Sequence, residues 1–289
     1  MTNNGIKITQ RKCIDCGREY EAHEAQILGM KNPIIFGGGR CADCARKKMQ
    51  EEEEKEAKLR ELELRNKREQ WRKSCGIPIR FMTRRFETFK PNRSKSLNNA
   101  YKDCLDYAQK FPLRGYRGYR SLVLYSQGVW GVGKSHLVSS IAHGILDKWQ
   151  GETDYCLVRY TSEPNLFMRI RSTFNRRPQE EYHETESDVY RELTTIPLLI
   201  VDDMGKEEVS DPRFVQRVLF TIINGRYDNM LPIIITANLN TDTLERHLGG
   251  DRGNSATFDR LAEMTSNNFR EIIATSYRDF RNRDDLPNK

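Results

Sequence analysis

The run Gly128-Val-Trp-Gly-Val-Gly-Lys-Ser135 has the spacing Gly-x4-Gly-Lys-Ser, which suits the cradling of a nucleotide's phosphates. Glycines let backbone N–H groups close around a β-phosphate, and a helix beginning at the last of them adds a favourable dipole. Lys134 can reach the β- and γ-phosphates, and the Ser135 hydroxyl suits Mg²⁺. Gly128, Val129, Trp130, Gly131, Val132, Gly133, Lys134, Ser135 and His136 are therefore the candidate ATP contacts. Trp130 is large for such a loop; it either covers the nucleotide or packs outward.

Two further runs supply the remaining chemistry. Ile196-Pro-Leu-Leu-Ile-Val-Asp202-Asp203 is an apolar stretch ending in two acids. At the carboxyl end of a buried strand, Asp202 can hold the hydration shell of Mg²⁺. Asp203 is then placed to polarise an attacking water, with less reach than a glutamate has. Leu231-Pro-Ile-Ile-Ile-Thr-Ala-Asn238 is a second apolar run with an amide at its tip. Beside the acid strand, Asn238 could orient the water or touch the γ-phosphate; by itself, an asparagine after a strand is a turn former.

The seven cysteines carry a different chemistry. Four stand as Cys13-Ile-Asp-Cys16 and Cys41-Ala-Asp-Cys44, each pair able to deliver two thiolates to a tetrahedral Zn²⁺. The intervening residues 17–40 exceed the usual spacing slightly. A segment this short has little apolar surface to bury, so metal binding can supply folding energy. The alternative is two reduced, unligated pairs. Disulfides are not expected, because the N-terminus lacks the apolar core of a secretory signal and a reducing cytoplasm is the default location.

Placing these groups requires a particular order of elements. Strand-like runs at Leu122–Tyr125, Cys156–Tyr160, Leu198–Val201 and Ile233–Thr236 alternate with amphipathic stretches, which predicts a parallel sheet with helices on both faces, an α/β fold. The sequence divides into a cysteine-rich zinc-binding module over 1–45, a charged helical linker over 46–75 and an ATPase domain over 76–289. In the linker, Glu51–Lys55, Glu54–Lys58, Glu56–Arg60, Glu61–Arg65 and Glu63–Lys67 are i,i+4 pairs in the favourable order, and no Gly or Pro interrupts them. Its apolar residues are too sparse for a heptad seam, so it reads as a semi-rigid spacer.

Composition excludes some classes. With 37% hydrophobic and 31% charged residues over 289, a core is affordable, and no run has the length of a membrane span. The net charge of +7 is concentrated between Arg80 and Arg120, where eleven basic residues face Glu87, Asp103 and Asp106. Attraction of nucleotide phosphates or nucleic acid, and a solvated basic face, are equally open readings of that stretch.

Taken in order, the Gly-x4-Gly-Lys-Ser loop, Asp202-Asp203, Thr236-Ala-Asn238, Phe258-Asp-Arg260-Leu and Ser276-Tyr-Arg278 resemble the AAA+ ATPases of the DnaC/DnaI helicase-loader and IstB-like group. Gly76-Ile-Pro78 with Phe86-Glu-Thr-Phe89 is similar to the segment before the core in that group, and the resemblance covers roughly residues 76–280. It implies an AAA+ fold and ATP hydrolysis. It also implies that Asn238 is the first sensor, Arg260 an arginine finger acting on a neighbouring subunit's ATP, and Arg278 a sensor for its own. The implied partners are a replicative hexameric DNA helicase, contacted through the N-terminal module, and single-stranded DNA, with ATP-dependent self-assembly. Two departures are the polar stretch Arg171–Ser187 and the extended loop Gly249–Asn254. Two other functions use the same core: a transposition helper ATPase on duplex DNA, and a nucleotide-gated binding module with little turnover.

Overall fold

The computed structural model describes residues 6–26, 33–174, 184–205, 211–250, 255–266 and 269–277. The chain splits into two compact units, residues 1–66 and 67–289.

In the first unit, β1 (Ile6–Lys12) and β2 (Glu19–Ala25) form an antiparallel hairpin, and β3 (Ile34–Ile35) adds to β2. The first cysteine knuckle is the turn between β1 and β2. The second leads into α1 (Ala42–Ser74), so that Cys44 lies in the helix's opening turn. The helix begins four residues before the linker expected over 46–75 and ends one residue short of it. Asp43 in the first turn, and Arg72 and Lys73 in the last, complement the helix dipole.

The second unit begins with the last turns of α1. Trp71 packs edge-on against Trp149, with ring centroids 4.5 Å apart, and Arg68 donates two hydrogen bonds to the Trp149 carbonyl. The remaining helices and strands are α2 (Lys95–Lys110), β4 (Leu122–Tyr125), α3 (Lys134–Lys148), β5 (Val158–Ser162), α4 (Glu163–Ser172), α5 (Glu186–Thr195), β6 (Leu198–Met204), α6 (Pro212–Asp228), β7 (Ile233–Ala237), α7 (Thr241–His247), α8 (Ala256–Met264) and β8 (Phe269–Glu271). Among the described residues, the five strands of this unit pair in the order β5-β6-β7-β4-β8, all parallel.

Alternation along the strands assigns their two faces. Val123, Leu199, Val201, Ile233 and Ile235 turn to a core shared with α4, α5 and α6. By the strand register, Leu124, Ile200, Asp202, Ile234 and Thr236 occupy the opposite face, where α3 packs and α2 packs on α3. Every residue of β7 is buried, and α3 buries Leu137, Val138, Ile141 and Ile145, as a sheet covered on both faces requires. The expected strands are all present. The edge strand β8, Phe-Arg-Glu, has no apolar run to announce it and was not foreseen. At the base of the sheet, the fully buried Arg226 gives its guanidinium N–H groups to the carbonyls of Leu193, Pro197 and Pro232.

Among the described residues, no helix is long and apolar enough to cross a membrane.

Candidate functional site

The loop after β4 turns on glycines and delivers the N-terminus of α3 at Gly133, whose φ of +111° few other residues adopt. A Cβ there would lie 2.8 Å from the Phe89 ring. Loop and helix form one side of a cleft of about 460 Å³, lined by Trp130, Gly131, Val132, Gly133, Lys134, Ser135, His136, Asp203 and Asn238 from the expected set. Phe81, Arg84, Thr88, Lys90 and Tyr277 complete the lining. Gly128, Val129 and Asp202 do not line it. Gly128 N donates to the Asn238 carbonyl, and the Val129 carbonyl accepts from Ser126 Oγ at 2.7 Å. Trp130 is 59% exposed and faces outward at the rim.

Lys134 is the charged centre of the cleft. Its Nζ donates to Asn238 Oδ1 at 2.7 Å and to Ser126 Oγ at 2.5 Å. Burial pulls its pKa down to about 8, against the opposing pull of Asp203 and Asp202. Such a buried ammonium is a strong attractor for phosphate oxygens.

Asp202 stands behind Ser135, only 2% exposed. Its Oδ1 accepts from Ser135 Oγ at 3.1 Å and from Thr236 Oγ1 at 2.5 Å, and its Oδ2 accepts from the Tyr160 hydroxyl at 2.6 Å. Burial raises its pKa, assisted by the charge of Asp203; the three hydroxyl donors oppose that rise. A buried carboxylate needs this hydrogen bonding to be tolerated. Oxygen donors from Ser135 and Asp202, side by side at a phosphate loop, fit a hard cation such as Mg²⁺.

Asp203 reaches the cleft through a local irregularity. The pairing of β6 with β7 shifts register between Val201 and Met204, and Asp203 has a φ of +58°. Its N–H donates to Thr236 Oγ1 at 2.9 Å. A bulge that re-aims a side chain beside a site is a recurrent device, and here it turns two successive acids to different surroundings, Asp202 to buried hydroxyls and Asp203 to the cleft.

His136 is held at the cleft's edge by the Arg85 carbonyl, 2.9 Å from Nε2, and by the Phe89 ring, 5.0 Å away edge-on. The segment Phe81–Lys90 is therefore part of the site. So is Tyr277, whose N–H donates to the Gly131 carbonyl at 2.9 Å and whose hydroxyl donates to the Lys90 carbonyl at 2.6 Å. Arg93 stacks 3.9 Å over the Tyr277 ring. No role was expected for these residues, nor for Tyr160 or Thr236, because each lies far along the chain from the loop it serves; Ser126, two residues before Gly128, falls just outside the Gly-x4-Gly-Lys-Ser spacing. The one available signal was the polar Thr236 inside an otherwise apolar run.

The basic stretch 80–120 turns out to be divided between tasks. Arg84 and Lys90 line the cleft. Arg114 and Arg117 donate to the carbonyls of Glu152 and Asn229, and Arg120 and Lys110 pair with Asp106.

Arg260 is not among the cleft residues. It lies on α8 with its guanidinium 5.8 Å over the rings of both Phe220 and Tyr227. Arg278 lies outside the described residues, as do 175–183 of the polar stretch and 251–254 of the extended loop.

In the first unit, Cys13, Cys16, Cys41 and Cys44 bring their Sγ atoms within 4.8 Å of one another, with Cys16 and Cys41 at 3.7 Å. Four thiolates at 2.3 Å from a tetrahedral zinc stand ~3.8 Å apart, so the donor set fits that ion. Cys41 N–H donates to Cys13 Sγ at 3.3 Å, and backbone donors hold the Cys13 thiol down to about 6. The neighbouring thiols push Cys44 up to about 12.

Residues 118–284 match the family described as IstB-like ATP binding protein. No curated protein matches the chain. Among solved structures, the DnaC helicase loader is similar at 20% identity and a TM-score of 0.52, over 68% of this chain and 100% of that one. DnaI is similar at 19% identity and a TM-score of 0.52, over 70% of this chain and 94% of that one. At such identities the likeness is one of fold.

Proposed function

Because the chain belongs to the family of IstB-like ATP-binding proteins, on an α/β fold of the AAA+ type, we propose that it is an ATP-dependent loader of a replicative hexameric DNA helicase onto single-stranded DNA. In this reading residues 1–45 are a zinc-binding module, 46–75 a helical linker and 76–289 the ATPase, which assembles with other copies when ATP binds. The observation that carries it is the convergence of Lys134, Ser135, Asp203 and Asn238 on one cleft, in a chain that also holds a four-thiol cluster. The fold shared with a protein described as a helicase loader supports the choice of task.

The geometry supports the following chemistry. Glycine-loop N–H groups and the α3 N-terminus receive the β-phosphate of ATP, and Lys134 neutralises charge on the β- and γ-phosphates. Ser135 and Asp202 would hold Mg²⁺, which supplies Lewis-acid neutralisation of the phosphate oxygens. Asp203 orients and polarises the water that attacks the γ-phosphorus; ADP leaves, and inorganic phosphate takes the water's oxygen. Asn238 positions that water or the γ-phosphate. Arg260 acts on the ATP of a neighbouring copy and Arg278 on that of its own. Ordering of the first unit by Zn²⁺ at Cys13, Cys16, Cys41 and Cys44 gives the protein-binding head.

The test is co-sedimentation of the purified chain with the replicative hexameric helicase of its host, with and without ATP. A stable complex, lost when Cys13 and Cys16 are replaced by Ser, is the expected result. No complex under either condition would overturn the loader assignment. The family match favours a second reading, a transposition helper that binds duplex DNA; ATP-dependent filaments on duplex DNA would establish it. Binding of partner without turnover would indicate a nucleotide-gated module instead.

A further inference from the structure

Tyr160 sits on the edge strand β5, opposite Ile200 of β6 in the register that places Ser162 opposite Asp202. Its side chain thus shares a face with Asp202, two residues further along the neighbouring strand, within diagonal reach for a long side chain. The hydroxyl uses that reach and donates to Asp202 Oδ2 at 2.6 Å. Oδ1, in contrast, is taken by Ser135 and Thr236.

The backbone that carries Tyr160 is held in place from outside the sheet. Tyr160 is 2% exposed, and its N–H donates to the Cys75 carbonyl at 2.7 Å, in the segment that leaves α1. Gly76, with φ +94°, lies so close that a Cβ there would stand 2.1 Å from the Tyr160 carbonyl oxygen. Arg159 continues the contact by donating to the Ser74 carbonyl at 2.8 Å. Burial and the adjacent carboxylate raise the phenol's pKa well above its ordinary value, so it stays protonated and acts as a donor.

We propose that Tyr160 is a positioning residue for the magnesium acid: its hydroxyl locks the rotation of the Asp202 carboxylate and presents Oδ1 toward Ser135 and the cation. Rotation about the bond carrying a carboxylate is soft, so a second anchor on Oδ2 is what fixes the plane. Groups that orient a metal's ligands characteristically set metal affinity rather than substrate affinity. This rests on the reading above that Ser135 and Asp202 hold Mg²⁺.

The variant is Tyr160→Phe in the full chain, which keeps the buried ring and removes only the donor. ATP binding is measured by filter retention in EDTA and then across a Mg²⁺ titration, with hydrolysis followed in parallel. The expected result is unchanged affinity in EDTA and a rise of about tenfold or more in the Mg²⁺ concentration for half-maximal binding. An unchanged Mg²⁺ midpoint, or equal loss with and without Mg²⁺, would overturn the proposal. Asp202→Asn separates the two layers of the argument. If it too leaves the Mg²⁺ midpoint unchanged, the assignment of Asp202 fails; if it shifts the midpoint and Tyr160→Phe does not, only the role of Tyr160 fails.

Discussion

Lys134 Nζ and Asn238 Oδ1 are 2.7 Å apart, although 104 residues separate them along the chain. The bond joins the first residue of α3, which the β4 loop delivers, to the tip of β7, the strand beside β4 in the sheet. In the function proposed above, an arriving phosphate would compete for the same ammonium, and its capture of Lys134 would free the Asn238 amide for the γ-phosphate or the water beside it. Two variants should therefore behave differently. Lys134→Ala is expected to abolish measurable ATP binding. Asn238→Ala should keep affinity within a few-fold but lower turnover by about a hundredfold, the scale of losing one placed polar group at a reacting centre. Equilibrium binding and single-turnover hydrolysis measure the two effects. Equal loss of affinity in both variants would reject the division of labour.

The parts of this site that could be read from the sequence are those where chemistry is local. Gly128–Ser135 encodes its own turn and helix start, and Asp202 and Asn238 each end an apolar run that declares a buried strand. Tyr160 could not be found that way, and Thr236 gave only its polarity inside an apolar run: their contacts with Asp202 arise from the lateral register of three strands, which no single run specifies. The hairpin of β1 and β2 was missed for a related reason. Its strands carry few apolar residues, with Ala22 among the few buried apolar side chains of the unit, so no alternating run announces them. Likewise Tyr277 gains its place through backbone bonding to Gly131, a contact its side chain does not advertise.

Arg260 is surrounded by its own chain on one side and packs over Phe220 and Tyr227, outside the cleft lining. Its Nη1 is buried without a hydrogen-bond partner among the described residues. Loss of the ring contacts costs only ~1 kcal/mol, so Arg260→Ala should fold. If Arg260 serves a neighbouring copy, the variant binds ATP as well as wild type but loses turnover by about a thousandfold, selectively at the protein concentrations that permit assembly. The measurement is specific activity against protein concentration. A wild-type concentration dependence in Arg260→Ala would count against the assignment.

The thiol cluster predicts a local dependence on metal. Purified without chelator, the chain should carry about one zinc, and its removal should expose the backbone of residues 6–26 to hydrogen exchange. ATP affinity should change by less than about twofold, because Lys134 and its partners lie in the other compact unit and do not share its ligands. Elemental analysis, exchange and binding on the same preparation test all three statements. Protection of residues 6–26 that survives complete zinc removal would show that the unit needs no metal to fold.

His143 supplies an acid-dependent contribution to stability at the opposite end of α3 from the loop. The residue is fully buried, its Nε2 lies 3.1 Å from the Phe81 carbonyl, and its Nδ1 has no partner among the described residues. Burial pushes its pKa down to about 4, assisted by the positive charges of Arg85 and Arg72 and opposed by the Phe81 carbonyl. An unfolded chain has the ordinary value near 6.5 and so binds more protons than the native one between pH 4 and 6.5. The contribution is fully present above pH 6.5 and is lost as the pH falls toward 4, amounting to roughly 2–3 kcal/mol. His143→Gln cannot titrate and keeps a donor for the Phe81 carbonyl. Urea unfolding at pH 7 and pH 4.5 should therefore show wild type losing more stability than the variant, by about that amount. Parallel losses in the two proteins would mean that the burial of His143 does not set its protonation.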